Sequence, residues 1–164
     1  MNIHMTSGTF DFLYKVKEKY PHESMYLMQD MYNAVLLHET EKSSVFNTPR
    51  SFQVIDSFGS IDNIGMVVMN NIPVIDEDRP LIEFKLKNTK QMANQKDLLA
   101  LRVLRPLKAN TYIVLTLWKN EAAFMNWEAS LHYKELFSLT VPNKQAQLFI
   151  GSSYVKKYWI PEEK

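Results

Sequence analysis

Two adjacent asparagines interrupt a strongly apolar stretch of the sequence, Met66–Val74. Asparagine is uncommon inside strands, and successive residues of a strand point to opposite faces of the sheet. If this strand is central, Asn70 or Asn71 must carry its amide into the core or into a pocket, where a buried amide needs hydrogen-bond partners. The sequence therefore leaves two interpretations open, a satisfied structural amide or a donor that points into an apolar cavity.

Trp127 is the second candidate, because of its spacing from other apolar residues. Phe124 lies three residues before it and Leu131 four residues after it. This is the spacing of one face of a helix. It predicts either a tryptophan packed in the core or one wall of a pocket for a large planar ligand.

Several catalytic classes are disfavoured by what the sequence lacks. Cysteine is absent, which excludes disulfides, thiolate metal sites and a cysteine nucleophile. No glycines stand at phosphate-loop spacing and no G-x-S-x-G segment occurs, so a nucleotide-binding enzyme and a serine hydrolase are both disfavoured. We expect no metal site, and structural or surface roles for the histidines, which are His4, His22, His38 and His132.

Arg102 and Arg105 lie three residues apart on a predicted strand, so they should face opposite sides. With Lys108 they form a modest basic cluster. The cluster is either a solvated strand edge or a contact for an anion such as a ligand carboxylate.

The composition limits the choice of partners. The 164 residues carry a net charge of +1, so no strong field steers the chain to nucleic acid. No secretory signal is visible, and no apolar run approaches the roughly 18 residues of a membrane span. We expect a cytoplasmic protein with no nucleic-acid or membrane partner.

Hydrophobic spacing predicts two similar series of elements. The first series is a strand at Ile3–Thr9, a helix at Phe10–Tyr20, strands at Ser24–Gln29 and Asn33–Thr40, and a helix at Pro49–Phe58. The second is a strand at Met66–Val74, a helix beginning near Arg79, strands at Leu98–Leu107 and Thr111–Trp118, helices from Asn120 to Trp127 and from Leu131 to Leu139, and a final strand at Ala146–Trp159.

The order of these elements predicts an α+β fold of two ferredoxin-like βαββαβ units. We place the units at residues 1–63 and 64–164. Their antiparallel sheets can either pack face to face or join at their edges into one barrel-like sheet, and both arrangements cover the apolar faces.

One long segment makes the sequence recognisable. Leu115–Trp127, followed by Tyr133-Lys134-Glu135, resembles the antibiotic biosynthesis monooxygenase (ABM) superfamily, and within it the IsdG-type haem-degrading monooxygenases. The whole chain is similar to the longer members, HmoB-like haem monooxygenases and TRAP-like proteins. This resemblance implies a pseudo-dimer in which the two units share one dimeric-α/β-barrel-like sheet. Further similar segments are Gly8–Leu13, Leu37–Thr40, Arg102–Leu107 and Asn110–Tyr112.

The resemblance also implies a haem site. In the haem-degrading members an asparagine amide steers dioxygen, a tryptophan ruffles the porphyrin, and a histidine ten residues after the tryptophan ligates iron. Asn70 and Trp127 match the first two, but Phe137 stands at the ligand position and cannot coordinate iron. Tyr133, one helical turn earlier, shares that face and is either an alternative ligand or the packing tyrosine that the family carries there.

These residues support two main hypotheses. In the first, the chain is a haem-degrading monooxygenase-like protein that opens haem, as substrate and cofactor, with electrons from an unidentified donor and releases iron. In the second, it is a non-catalytic TRAP-like regulatory or stress protein, or one that binds a different planar hydrophobic ligand. A cofactor-free oxygenase for an aromatic substrate is a third interpretation that no residue selects.

Overall fold

The computed structural model describes residues 1–87, 94–138 and 153–161. Within them, eight strands form an antiparallel closed barrel and four helices pack outside it. The strands are β1 (Asn2–Gly8), β2 (Ser24–Gln29), β3 (Ala34–Thr40), β4 (Arg50–Gly59), β5 (Met66–Pro73), β6 (Leu98–Pro106), β7 (Thr111–Trp118) and β8 (Tyr154–Trp159). The helices are α1 (Phe10–Lys19), α2 (Arg79–Leu86), α3 (Glu121–Glu128) and α4 (Leu131–Ser138).

The barrel repeats one strand order in its two halves. In the barrel, the first four strands of the chain lie in the spatial order β4-β1-β3-β2. The last four lie in the equivalent order, β8-β5-β7-β6. The two halves join where β4 pairs with β6 and where β2 pairs with β8. The second junction is short, with Gln29 opposite Trp159. The α+β, ferredoxin-like prediction is therefore confirmed, and the sheets join at their edges. The boundary between residues 63 and 64 stays a prediction.

The helix predicted at Pro49–Phe58 is wrong, because this segment forms strand β4. Phe52 and Val54 belong to the barrel interior, whereas Ile55 and Phe58 pack against the apolar cluster outside it. A register shift between Val54 and Asp56 causes this change of face. The bulge thus gives an apolar spacing that resembles that of a helix.

Three apolar clusters hold the molecule together. One fills the barrel and receives residues from all eight strands, among them Ile3, Leu37 and Leu115. A second lies under α1. The third lies under α2, α3 and α4 against the outer face of β5–β7, and it contains Trp127.

Side-chain caps fix where the helices over β5 begin. The Asn120 side-chain oxygen accepts a hydrogen bond from the Ala123 amide at 2.9 Å and begins α3, as predicted. The Ser130 hydroxyl accepts from the Tyr133 amide at 3.2 Å and begins α4. The predicted final strand is observed at Tyr154–Trp159, and its first part lies outside the described residues. None of the described helices has the length and apolar character needed to cross a membrane.

We expect Gly59→Ala to lower the free energy of unfolding by about 2–4 kcal/mol. Gly59 has φ +65°, and a Cβ there would lie 2.2 Å from the carbonyl oxygen of Leu99. Gly8→Ala is the matched control, because a Cβ at Gly8 would lie 3.7 Å from its nearest neighbours, which are side-chain atoms. Urea denaturation of both variants tests this, and equal effects would contradict it.

Candidate functional site

β5 places its two asparagines on opposite faces, and both are buried. Asn71 lies on the barrel-interior face and its amide nitrogen donates to the Met69 carbonyl at 3.1 Å. Asn70 faces outward, toward α4, and is 3% exposed. Asn71 thus has the structural hydrogen bond of a satisfied amide, and Asn70 is the residue that faces the candidate site.

Four aromatic rings from β7, α3 and α4 pack around Trp127. The Trp127 ring centroid lies 5.3 Å from that of Trp118 and 4.8 Å from that of Tyr133. Phe137 lies 6.1 Å from Trp127 and 4.6 Å from Tyr133. Trp127 is 2% exposed and Phe137 is half-buried. We call this set, with Phe124 as its fifth member, the aromatic cluster.

Asn70 is joined to the aromatic cluster by one hydrogen bond. The Tyr133 hydroxyl donates to the Asn70 side-chain oxygen at 3.1 Å. Two side-chain N–H donors of the site have no such bond. Asn70 Nδ2 and Trp127 Nε1 are both buried without a hydrogen-bond partner among the described residues. The structure therefore brings together the three residues selected from the sequence, and it leaves two N–H donors beside the same rings.

The side chains of this site do not fit a protein-ligated iron. Phe137 has no atom that can coordinate a metal, and it packs against Tyr133 and Trp127. Burial, with a smaller effect of Glu128, raises the pKa of Tyr133, so its hydroxyl keeps the proton that it donates to Asn70. A phenolate ligand at Tyr133 would require the loss of both that proton and that hydrogen bond.

His4, His38 and His132 do not supply an iron ligand to this site. His132 lies on α4, but its Nδ1 is 3.5 Å from the Gln95 side-chain nitrogen. His4 and His38 lie on β1 and β3, in the other half of the barrel, with their ring centroids 6.1 Å apart. Across residues 1–87, 94–138 and 153–161, no group of three or more histidine or acidic side chains could hold a metal ion.

Arg102 and Arg105 face opposite sides of β6, as predicted, and each forms an ion pair with a glutamate of the same chain. Arg102 points into the barrel, where its Nε donates to Glu39 at 2.7 Å. Its Nη1 donates to the carbonyls of Phe58, Gly59 and Leu101 at 2.8–2.9 Å. This pair links the two halves of the barrel.

Arg105 forms the second pair, outside the barrel, with a residue that the sequence did not indicate. Its Nε donates to Glu83 of α2 at 3.1 Å, and the Tyr112 hydroxyl donates to the same carboxylate. The side-chain hydrogen bond from Arg105 is the main cause that lowers the pKa of Glu83. Burial and then Glu83 raise the pKa of Tyr112 to about 12. These residues come from three separate elements, so no local spacing could have connected them.

A small cavity opens beside Trp127. Its volume is about 270 Å³, just below the usual range for ligand pockets of about 300–1,000 Å³. Amide side chains from Gln95, Asn120 and Asn126 line it, with Trp127 at one wall. The aromatic cluster thus borders a recess of mixed polar and apolar lining, whereas the sequence predicted an apolar cavity.

Residues 65–138, which contain β5, α3 and α4, match the family model for antibiotic biosynthesis monooxygenase. The resemblance inferred from Leu115–Trp127 is confirmed.

Two kinds of relative share nearly the whole length of the chain. The signal transduction protein TRAP of Staphylococcus epidermidis is 27% identical, with 99% of each chain covered. A haem-degrading monooxygenase of Listeria monocytogenes is 23% identical, with 98% of this chain and 95% of the relative covered. The solved structure of a major regulator of staphylococcal pathogenesis superposes with a TM-score of 0.87 at 20% identity, covering 99% and 100% of the two chains, and shows the same fold.

Proposed function

We propose that this chain is a haem-monooxygenase-like protein that binds a planar, porphyrin-class ligand beside Asn70 and Trp127. The observation that carries the proposal is the pair of buried donors, Asn70 Nδ2 and Trp127 Nε1, without partners among the described residues. Leaving a buried donor unpaired costs about 1–3 kcal/mol, which a ligand acceptor would recover. The full-length similarity to the Listeria haem-degrading monooxygenase supports haem as the ligand.

The chemistry at position 137 favours binding without ligation of iron by the protein. Phe137 offers no metal ligand, and Tyr133 keeps its proton. We therefore propose that the chain as it stands has a non-catalytic, TRAP-like role. A ligand must displace part of the aromatic cluster to reach Asn70, because Asn70 is 3% exposed and Trp127 is 2% exposed.

Oxidative opening of haem is the second candidate function. It is favoured by the joint placement of Asn70 and Trp127 at one site, since these are the two residues that match the haem-degrading pattern. In this candidate haem is the substrate, and electrons come from a donor that is not identified.

A titration of the purified chain with hemin and with metal-free protoporphyrin IX tests the proposal. Quenching of tryptophan fluorescence reports binding, because Trp118 and Trp127 lie in the site. We expect saturable quenching with affinities within about threefold of each other, under about 1 kcal/mol, because no protein atom ligates the iron. Asn70→Ala should lower the affinity for both ligands. Asn71→Ala changes the adjacent buried asparagine on the other face of β5 and should leave both affinities unchanged.

Two other results separate the candidates. Preference for hemin by more than about tenfold, together with bleaching of the bound haem by ascorbate, would favour the second candidate. The absence of saturable quenching by either compound would overturn both.

A further inference from the structure

A second cavity lies where the two halves of the barrel meet. It has a volume of about 440 Å³, within the usual range for ligand pockets, and lies at the start of β4 and the end of β6. Thr48, Arg50, Ser51, Phe52, Pro106 and Lys108 are among its lining residues. None of the residues that line it belongs to the aromatic cluster or contacts Asn70. It is therefore a separate site.

The charge of this cavity is positive and is not neutralised by the described residues. Arg50 and Lys108 form no ion pair with any described carboxylate, whereas Arg79, Arg102 and Arg105 all do. The Arg50 guanidinium lies 5.5 Å from the centroid of the Phe52 ring. A guanidinium that packs on a ring loses little of its capacity to bind a carboxylate or phosphate.

The walls add hydrogen-bonding groups and an apolar surface. The Ser51 hydroxyl is held 2.7 Å from His4 Nδ1 and is therefore oriented by a buried ring. Burial, followed by the neighbouring His38, lowers the pKa of His4, so His4 is uncharged at neutral pH and the positive charge belongs to Arg50 and Lys108. Phe52 and Pro106 supply apolar lining.

We propose that this cavity binds a small organic anion, with its phosphate or carboxylate on Arg50 and Lys108 and its apolar portion against Phe52 and Pro106. The two cations provide charge-assisted hydrogen bonds, which are stronger than neutral ones. The adjoining apolar walls select a molecule with an apolar part over a bare inorganic ion.

Titration of the isotope-labelled chain with phenyl phosphate, followed by backbone amide chemical shifts, tests this proposal. Sodium chloride at matched ionic strength provides the reference. We expect saturable shifts near Arg50 and Lys108, and an affinity at least about tenfold higher than that of inorganic phosphate. Equal affinities for the two compounds would overturn the organic-anion assignment.

A charge-matched pair of variants supplies the control. The double variant Arg50→Gln/Lys108→Gln should bind phenyl phosphate at least about tenfold more weakly. Lys15→Gln/Lys119→Gln removes two positive charges from exposed positions outside the cavity and should bind as the parent chain does. Equal weakening in both, or shifts that do not saturate, would reduce the effect to bulk electrostatics and overturn the proposal.

Discussion

Phe137→His is expected to create an iron ligand in this fold. Phe137 lies on α4, 4.6 Å from the Tyr133 ring and 6.1 Å from the Trp127 ring, so an imidazole there would enter the site that holds Asn70. Imidazole ligates haem iron, and phenylalanine does not. We expect hemin affinity to rise by at least about tenfold, or about 1.4 kcal/mol, with a shifted Soret band.

Leu131→His provides the matched control on the same helix. Leu131 is 75% exposed, so its replacement adds an imidazole to α4 without placing it in the aromatic cluster. Its hemin spectrum should match that of the parent chain. Metal-free protoporphyrin IX should bind both variants equally, because it offers no iron. A Phe137→His spectrum identical to that of the parent chain would show that the pocket itself does not admit haem.

Arg102→Met is expected to lower the free energy of unfolding by about 3–5 kcal/mol. The change leaves the Glu39 carboxylate without its cation, and Arg102 and Glu39 are only 7% and 13% exposed as side chains. It also removes the donor to three backbone carbonyls. Urea denaturation measures the loss, and a change below about 1 kcal/mol would contradict the expected role of the pair.

A double-mutant cycle separates the ion pair from the backbone contacts. Glu39→Gln removes the charge that Arg102→Met would leave buried, so the double variant should lose less stability than the sum of the two single variants. If Arg102→Met does not fold, Arg102→Lys keeps the charge and loses most of the guanidinium hydrogen bonds, and it takes its place in the cycle. Additive losses would mean that Glu39 and Arg102 do not stabilise each other.

The elements that carry the candidate site were predictable because their signals are local. The apolar run around Asn70 and Asn71 predicted β5, and Asn120 predicted the start of α3, where its side chain caps the Ala123 amide. Because strand residues alternate between faces, the sequence also predicted that Arg102 and Arg105 point to opposite sides. The joint placement of Asn70, Trp127 and Phe137 followed from the resemblance, and the roles of these residues stay predictions.

The remaining features depend on contacts between distant parts of the chain. The bulge in β4 forms against β6, about 50 residues later, so Phe52–Phe58 by itself has the spacing of a helix. The Arg102–Glu39 pair joins residues 63 positions apart, and Arg105 meets Glu83 only because α2 crosses outside β6. No local pattern indicates which carboxylate an arginine will select.

Closure of the barrel within one chain has a consequence for assembly. Because β4 pairs with β6 and β2 with β8 in the same molecule, closure is unimolecular, and dilution does not separate the two halves. Tethering also removes any need for the halves to be alike. One half can carry the aromatic cluster and Asn70, while the other evolves as a structural partner under different constraints.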